Sequence, residues 1–278
     1  MLDTASARDS ASPVEATQPV TRARVRFRKE GDLRFLGHQD LINCLERMCR
    51  RAELTLLTTR GFNPRPRLTF ALSLALGIIG KREVMEFELA GTPSPEDILS
   101  RLNAHAPPGL HFDEIRLMGP RDKARVSHAL YRVNISAARR DQLPEAIQSL
   151  LAADHCWVER RRPQPRKCDI RPFIDDLRCD NGALAICCHV SPDGTARPDD
   201  ILRLLGLGDL VGAGILIERS DLLLVDENSA KATTNQELRY TGRLATELPG
   251  PEPSLEVNPP PRPPRPASLL PGPFSFDS

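Results

Sequence analysis

The chain has 278 residues, with 38 Lys and Arg against 37 Asp and Glu, 26 prolines and 4% aromatic residues. That length suffices for one large domain or two small ones, each with its own core. The near-zero net charge excludes a uniform polyelectrolyte, and no run approaches the roughly 18 apolar residues of a membrane span, so no membrane role is expected.

Residues 1–20 read as a disordered tail. They are polar and lack the apolar core of a secretory signal, which points to a cytoplasmic protein. From Arg22 the pattern alternates strictly. Ala23, Val25 and Phe27 fall on one face and Arg22, Arg24, Arg26 and Arg28 on the other, as in a half-buried strand. Gly31-Asp32 turns the chain, and a helix is predicted from about His38 to Ala52, with Leu41, Leu45, Met48 and Ala52 inward. Gly37 occupies its N-cap and Asp40 lies three positions on.

The segment Gly61-Phe62-Asn63-Pro64-Arg65-Pro66-Arg67 follows. Its two prolines fix φ at their own positions and extend the residues before them, predicting a preordered loop that fans out Arg60, Arg65 and Arg67. Leu68–Leu76 reads as an apolar strand, Gly77–Lys81 as a turn, and Val84–Leu89 as a strand with Met85, Phe87 and Leu89 on one face. A helix over Glu96–His105 and a strand over Leu110–Met118 complete a β-α-β-β-α-β order, the split β-α-β or ferredoxin-like unit.

A second such unit is predicted beyond Gly119–Ser127. Its elements are a strand Ala129–Ser136, a helix Asp141–Ala152, a strand Cys156–Arg162, two strands around Asp180-Asn181-Gly182, a helix Arg197–Leu205 and a strand Gly214–Arg219. The fold class is therefore α+β, with units at 21–119 and 127–225 between disordered tails, the second a proline-rich stretch over 226–278. Cys44, Cys49, Cys156, Cys168, Cys179, Cys187 and Cys188 form no CxxC pair. They read as reduced thiols behaving as small hydrophobes, and no metal or cofactor is expected.

Three short stretches, Gly31-Asp32-Leu33-Arg34-Phe35-Leu36-Gly37-His38-Gln39-Asp40, Gly61-Phe62-Asn63-Pro64-Arg65-Pro66 and Gly77 followed by Glu83, resemble the signatures of the radical-SAM-linked protein family of bacteria. Cys168-Asp169-Ile170-Arg171-Pro172 and Gly194-Thr195-Ala196-Arg197-Pro198 extend the resemblance to about residue 223. The family pattern has Ser at Gly37, a His-like residue at Arg65, and Ser, Tyr and Asp at Gly80, Val84 and Glu86. The resemblance implies a partner radical-SAM protein and a neighbouring RNA-processing ribonuclease. The chain carries no CxxxCxxC triplet for a radical-SAM cluster of its own.

The charge is uneven along the chain. Between Arg22 and Arg67, Arg22, Arg24, Arg26, Arg28, Lys29, Arg34, Arg47, Arg50, Arg51, Arg60, Arg65 and Arg67 stand against only Glu30, Asp32, Asp40, Glu46 and Glu53. Such a lobe fits phosphate neutralisation on RNA, and equally cross-strand pairing of Arg24, Arg26 and Arg28 with Glu86 and Glu88. The sharper candidate is Arg34, His38, Asp40, Asn63, Arg65 and Arg67, which suits RNA or ligand binding, or acid–base chemistry by His38 oriented by Asp40. Asp169 and Arg171, near Arg160, Arg161, Arg162, Arg166 and Lys167, suit either a basic groove or an Asp–Arg pair at the junction of the units. The expected function is an accessory module binding structured RNA, tRNA or rRNA, for a radical-SAM modification enzyme or a ribonuclease. The alternatives are a scaffold docking a radical-SAM partner without nucleic acid, and a metal-independent ribonuclease or transferase using His38.

Overall fold

The computed structural model describes residues 19–119, 122–160 and 164–227. The tails expected at 1–20 and 226–278 lie almost wholly outside these residues, as do Arg161 and Arg162. In chain order the elements are β1 (Val20–Lys29), α1 (His38–Arg51), β2 (Leu68–Phe70), β3 (Ile79–Ala90), α2 (Pro95–Ala104) and β4 (Leu110–Leu117). The second half contains β5 (Val126–Asn134), α3 (Leu143–Ala152), β6 (Trp157–Arg160), β7 (Arg166–Asp169), β8 (Ile174–Asp180) and β9 (Ala183–Ser191). It ends with β10 (Gly194–Thr195), α4 (Pro198–Leu204), α5 (Gly208–Gly212) and β11 (Ile217–Leu224).

The alternation in β1 places Ala23, Val25 and Phe27 in a core with the inward stripes of α1 (Leu41, Leu45, Met48, Cys49) and α2 (Ile98, Leu102). Ser94 caps α2 by accepting from the Asp97 N–H at 3.1 Å, and Pro95 opens its first turn. A second core gathers Tyr131, Val133, Ile147, Leu184, Ile186, Ile201 and Leu222, and reaches under β3 through Ile78 and Val84.

Nine of the eleven strands form one continuous, mostly antiparallel sheet, β6 and β7 form a separate ribbon, and the fold is mixed α+β with few helices. In the first half β1 lies between β3 and β4, and β2 pairs with the later part of β3. In the second half β5 lies between β9 and β11, and β8 pairs with the far side of β9. The halves join where β11 pairs in parallel with the start of β3, Glu218 opposite Ile79 and Arg219 opposite Gly80. Among the described residues no helix is long and apolar enough to cross a membrane.

Several elements differ from their sequence patterns, among them β3, which begins at Ile79 inside the turn predicted over Gly77–Lys81. The strand predicted over Leu68–Leu76 keeps only Leu68–Phe70, because the start of β3 is taken by β11 rather than by residues 71–76. The run 168–179 splits into β7, which pairs with β6 in a separate ribbon, and β8; Pro172, which has no N–H for a ladder, sits in the 3-10 turn between them. The closing strand runs over Ile217–Leu224 instead of Gly214–Arg219. Asn181 (φ 48°) and Gly182 (φ 77°) make the tight hairpin turn their sequence predicts.

Candidate functional site

Of the two readings of the β1 arginines, the structure shows the paired one. Arg24 and Arg26 are each only 4% exposed. Glu86 accepts from Arg22 at 3.0 Å and from Arg24 at 2.9 Å, and Asp226 also pairs with Arg24. Arg26 reaches Asp221 at 2.9 Å, Glu227 at 2.6 Å and the Leu222 carbonyl at 3.0 Å. Arg28 pairs with Asp113 instead of Glu88. β3 supplies Glu86 and β4 supplies Asp113, while β11 and residues 225–227 supply Asp221, Asp226 and Glu227.

Opposite charges also meet where the halves join. Arg219 and Glu83 form a bidentate pair, their side chains 2% and 3% exposed. Arg219 further donates to the carbonyls of Ser73 (3.0 Å) and Leu72 (3.1 Å). Lys29, 1% exposed, donates to the Leu36 carbonyl at 2.9 Å, and burial holds its ammonium below the usual lysine range despite nearby Glu83.

Three carboxyls give the fold an acid-sensitive term. Partial burial alone would raise Asp226, Glu114 and Asp169. Arg24 holds Asp226 below the ordinary range, Arg116 and Arg82 hold Glu114 there, and the Cys156 N–H with His155 does so for Asp169. A depressed carboxyl adds stability above its unfolded-state pKa and loses it as pH falls through the folded value. The urea midpoint is therefore expected to be flat around neutrality and to fall on acidification below the normal carboxylate range. A midpoint unchanged on acidification would contradict these pairings.

The predicted proline loop is the tip of a small hairpin. Leu57 N–H donates to Glu88, Arg67 N–H to Leu57 and Thr59 N–H to Arg65, while Thr58 bridges Pro66. The Arg65 N–H donates to the Thr59 hydroxyl at 3.0 Å. Arg67 is spent on Glu88 (2.8 Å) and the Thr58 carbonyl (3.2 Å). Arg60, Phe62, Asn63 and Arg65 project into solvent, and the Phe62 ring is wholly exposed. Phe62 was legible in the sequence only as a loop residue, since no periodicity marks it as outward.

Arg34 lies elsewhere, on a 3-10 turn over Gly31–Phe35, where it donates to the Gly31 carbonyl at 3.0 Å and stacks 4.2 Å over the Phe35 ring. It lines a cleft of about 260 Å³ together with Phe35, residues 75–78, Asp199, Val211 and residues 214–217. Gly77 (φ 85°) shapes the wall, its N–H bonding the Arg34 carbonyl at 2.9 Å.

The remaining candidates do not converge on either feature. His38 opens α1 with its ring edge-on to Phe70, 5.2 Å between centroids. Among the described residues no hydrogen bond joins it to Asp40, because positions two apart in a helix point to different sides. Asp169 and Arg171 do not pair side chain to side chain among the described residues. Asp169 accepts from the N–H groups of Cys156 (2.8 Å) and Arg171 (3.0 Å) and pairs with His155 at 2.7 Å. The Arg171 guanidinium ties down the carbonyls of Ile174 and Leu151, each at 2.8 Å. Arg160 is likewise internal, bonded to Asp200 and the Thr195 carbonyl. The cysteines, all free thiols, divide into buried Cys49, Cys156, Cys187 and Cys188, half-buried Cys44 and Cys168, and exposed Cys179. Burial pushes the Cys49 thiol up to about 12.

These features define a mixed α+β sheet protein with neutralised internal arginines, an exposed basic hairpin and a small cleft lined by Arg34 and Asp199. Residues 22–198 match the model of a family described as an uncharacterized protein conserved in bacteria (DUF2344), and the chain belongs to that family. No curated protein matches it. Among solved structures it is similar to an unknown protein from Galdieria sulphuraria, at 12% identity over 74% of this chain and 99% of the other, with a TM-score of 0.23. It is also similar to a protein described as a "putative glycine cleavage system transcriptional repressor", at 9% identity over 71% and 95% of the two chains, with a TM-score of 0.21. At such scores neither likeness bears on function.

Proposed function

We propose that the chain is an accessory module of two ferredoxin-like units that binds structured RNA, tRNA or rRNA, for a radical-SAM modification enzyme or a ribonuclease. The strand orders support the architecture: β2-β3-β1-β4 and β8-β9-β5-β11 repeat one pattern with antiparallel neighbours throughout. The radical-SAM partner rests on the resemblance of the motifs around Arg34, Asn63 and Asp169.

One observation carries the RNA reading. The wholly exposed Phe62 ring stands on a braced hairpin tip near the exposed Arg65. An aromatic face takes an unstacked base irrespective of its identity, and a neighbouring guanidinium takes a phosphate. Since the β1 arginines are neutralised, the contact is confined to this tip and does not extend over the sheet.

The test is fluorescence anisotropy of nuclease-treated protein with labelled tRNA and rRNA fragments over a salt series. Wild type is expected to bind with an affinity that falls as salt rises. Phe62→Ala is expected to lose about 1–3 kcal/mol, the usual contribution of one stacked base. Arg65→Glu should lower both the affinity and the salt slope. Absent or salt-insensitive binding removes the proposal, as does wild-type binding by both variants. A radical-SAM partner retained after nuclease treatment by a chain that binds no RNA would identify a protein-docking scaffold instead. For catalysis by His38 the geometry offers little, since its ring is packed on Phe70 and Asp40 does not orient it.

A further inference from the structure

We infer that the cleft lined by Arg34 and Asp199 binds a free α-amino acid with an apolar side chain. It presents one cation and one anion to the same small cleft, whose lining is part polar and part apolar. Arg34 is engaged by the Gly31 carbonyl and the Phe35 ring, and no carboxylate pairs with it among the described residues. That sets it apart from Arg22, Arg24, Arg26, Arg28 and Arg219, each matched with an acid. Asp199, in the first turn of α4, has neither a hydrogen bond nor an ion pair among the described residues, and so does not pair with Arg34 across the cleft.

A ligand carrying both a carboxylate and an ammonium answers both groups at once. Its side chain would cover Leu76 and Leu216, which are 66% and 52% exposed on the rim, and Phe35 at 58%. Clustered exposure of large apolar residues on a soluble domain marks a binding surface. The volume of about 260 Å³ lies just under the roughly 300–1,000 Å³ of sites for drug-sized ligands, and so suits an amino acid. A polyanion is disfavoured, because a single guanidinium faces it and Asp199 repels it. The site is partly preordered: the guanidinium is parked on the Phe35 ring, and the Gly77 turn is bonded to the Arg34 backbone.

The experiment is isothermal titration of the full chain with leucine and phenylalanine, then with N-acetyl-leucine, which lacks the ammonium, and leucinamide, which lacks the carboxylate. Saturable binding of leucine or phenylalanine is expected. Arg34→Gln and Asp199→Asn should each weaken it about tenfold or more, the scale of one charge-assisted hydrogen bond. N-acetyl-leucine should be insensitive to Asp199→Asn, and leucinamide insensitive to Arg34→Gln. Both substitutions sit on the rim and should keep the wild-type unfolding midpoint. Failure of every apolar amino acid to bind saturably overturns the proposal, as does unchanged leucine binding in both variants. Neither residue belongs to the hairpin, so loss of RNA binding and loss of amino-acid binding are separate results.

Discussion

Glu83→Gln is expected to cost about 3–5 kcal/mol of stability, the usual consequence of removing one partner from a buried ion pair. Glu83 neutralises Arg219 in a place where both side chains are almost free of solvent contact. Lys29 lies in the same buried neighbourhood, coupled to both Glu83 and Arg219. Without the Glu83 carboxylate, two cations share a low-dielectric space with only carbonyls and the Tyr131 hydroxyl as partners. For a folded region of this size the loss corresponds to a drop of about 6–20 °C in the thermal midpoint.

Lys29→Met should recover part of that loss in the Glu83→Gln background by removing the second cation. The sign can be checked with pH. A buried lysine with a depressed pKa penalises the fold at neutral pH, and the penalty fades as pH rises from the folded value towards the unfolded one. The stability gained by Lys29→Met should therefore shrink at alkaline pH. Gly80→Ala attacks the same pair sterically, since a Cβ there would lie 2.5 Å from the Glu83 Cγ. A midpoint within a degree or two of wild type in Glu83→Gln would show that the pair is not buried as described.

The second large effect is expected at Glu86. Its carboxylate serves Arg22, Arg24 and the Ala124 N–H (2.8 Å), and it is 5% exposed. Glu86→Ala should cost about 3 kcal/mol, towards the lower end for a broken buried pair because Asp226 still holds Arg24. Replacing both partners, Arg24→Met with Glu86→Leu, should recover most of that loss, since two apolar side chains have no charge to desolvate. Urea unfolding of the single and double variants measures the coupling. The same variant separates a structural from a nucleic-acid role for the β1 arginines. If Glu86→Ala kept its stability and bound RNA more tightly, those guanidiniums would face solvent, contrary to the structure.

Much of the architecture was legible in local pattern. The alternation of Ala23, Val25 and Phe27, the helical stripe Leu41, Leu45 and Met48, and the Asn181-Gly182 turn each encode a single solution, because their physics spans fewer than a dozen residues. The segment carrying Asn63 and Arg65 was legible as a loop ordered by Pro64 and Pro66, but neither its hairpin pairing nor the engagement of Arg67 by Glu88 was. The charge count between Arg22 and Arg67 could not decide between a phosphate-binding lobe and internal pairing. The acids that answer those arginines are Glu86, Asp113, Asp221, Asp226 and Glu227, far along the chain.

By itself, then, the sequence determined the α+β class, the inward faces of the principal strands and helices, and the place of the proline loop that carries Asn63 and Arg65. Only the tertiary structure decided that β11 pairs with β3, that the arginine face of β1 is internal, and that Arg34 and Asp199 share one cleft. The reason is physical. Side-chain periodicity and turn chemistry are set by neighbours along the chain, whereas the partner of a buried charge is set by whichever distant strand closes over it, and nothing local specifies that.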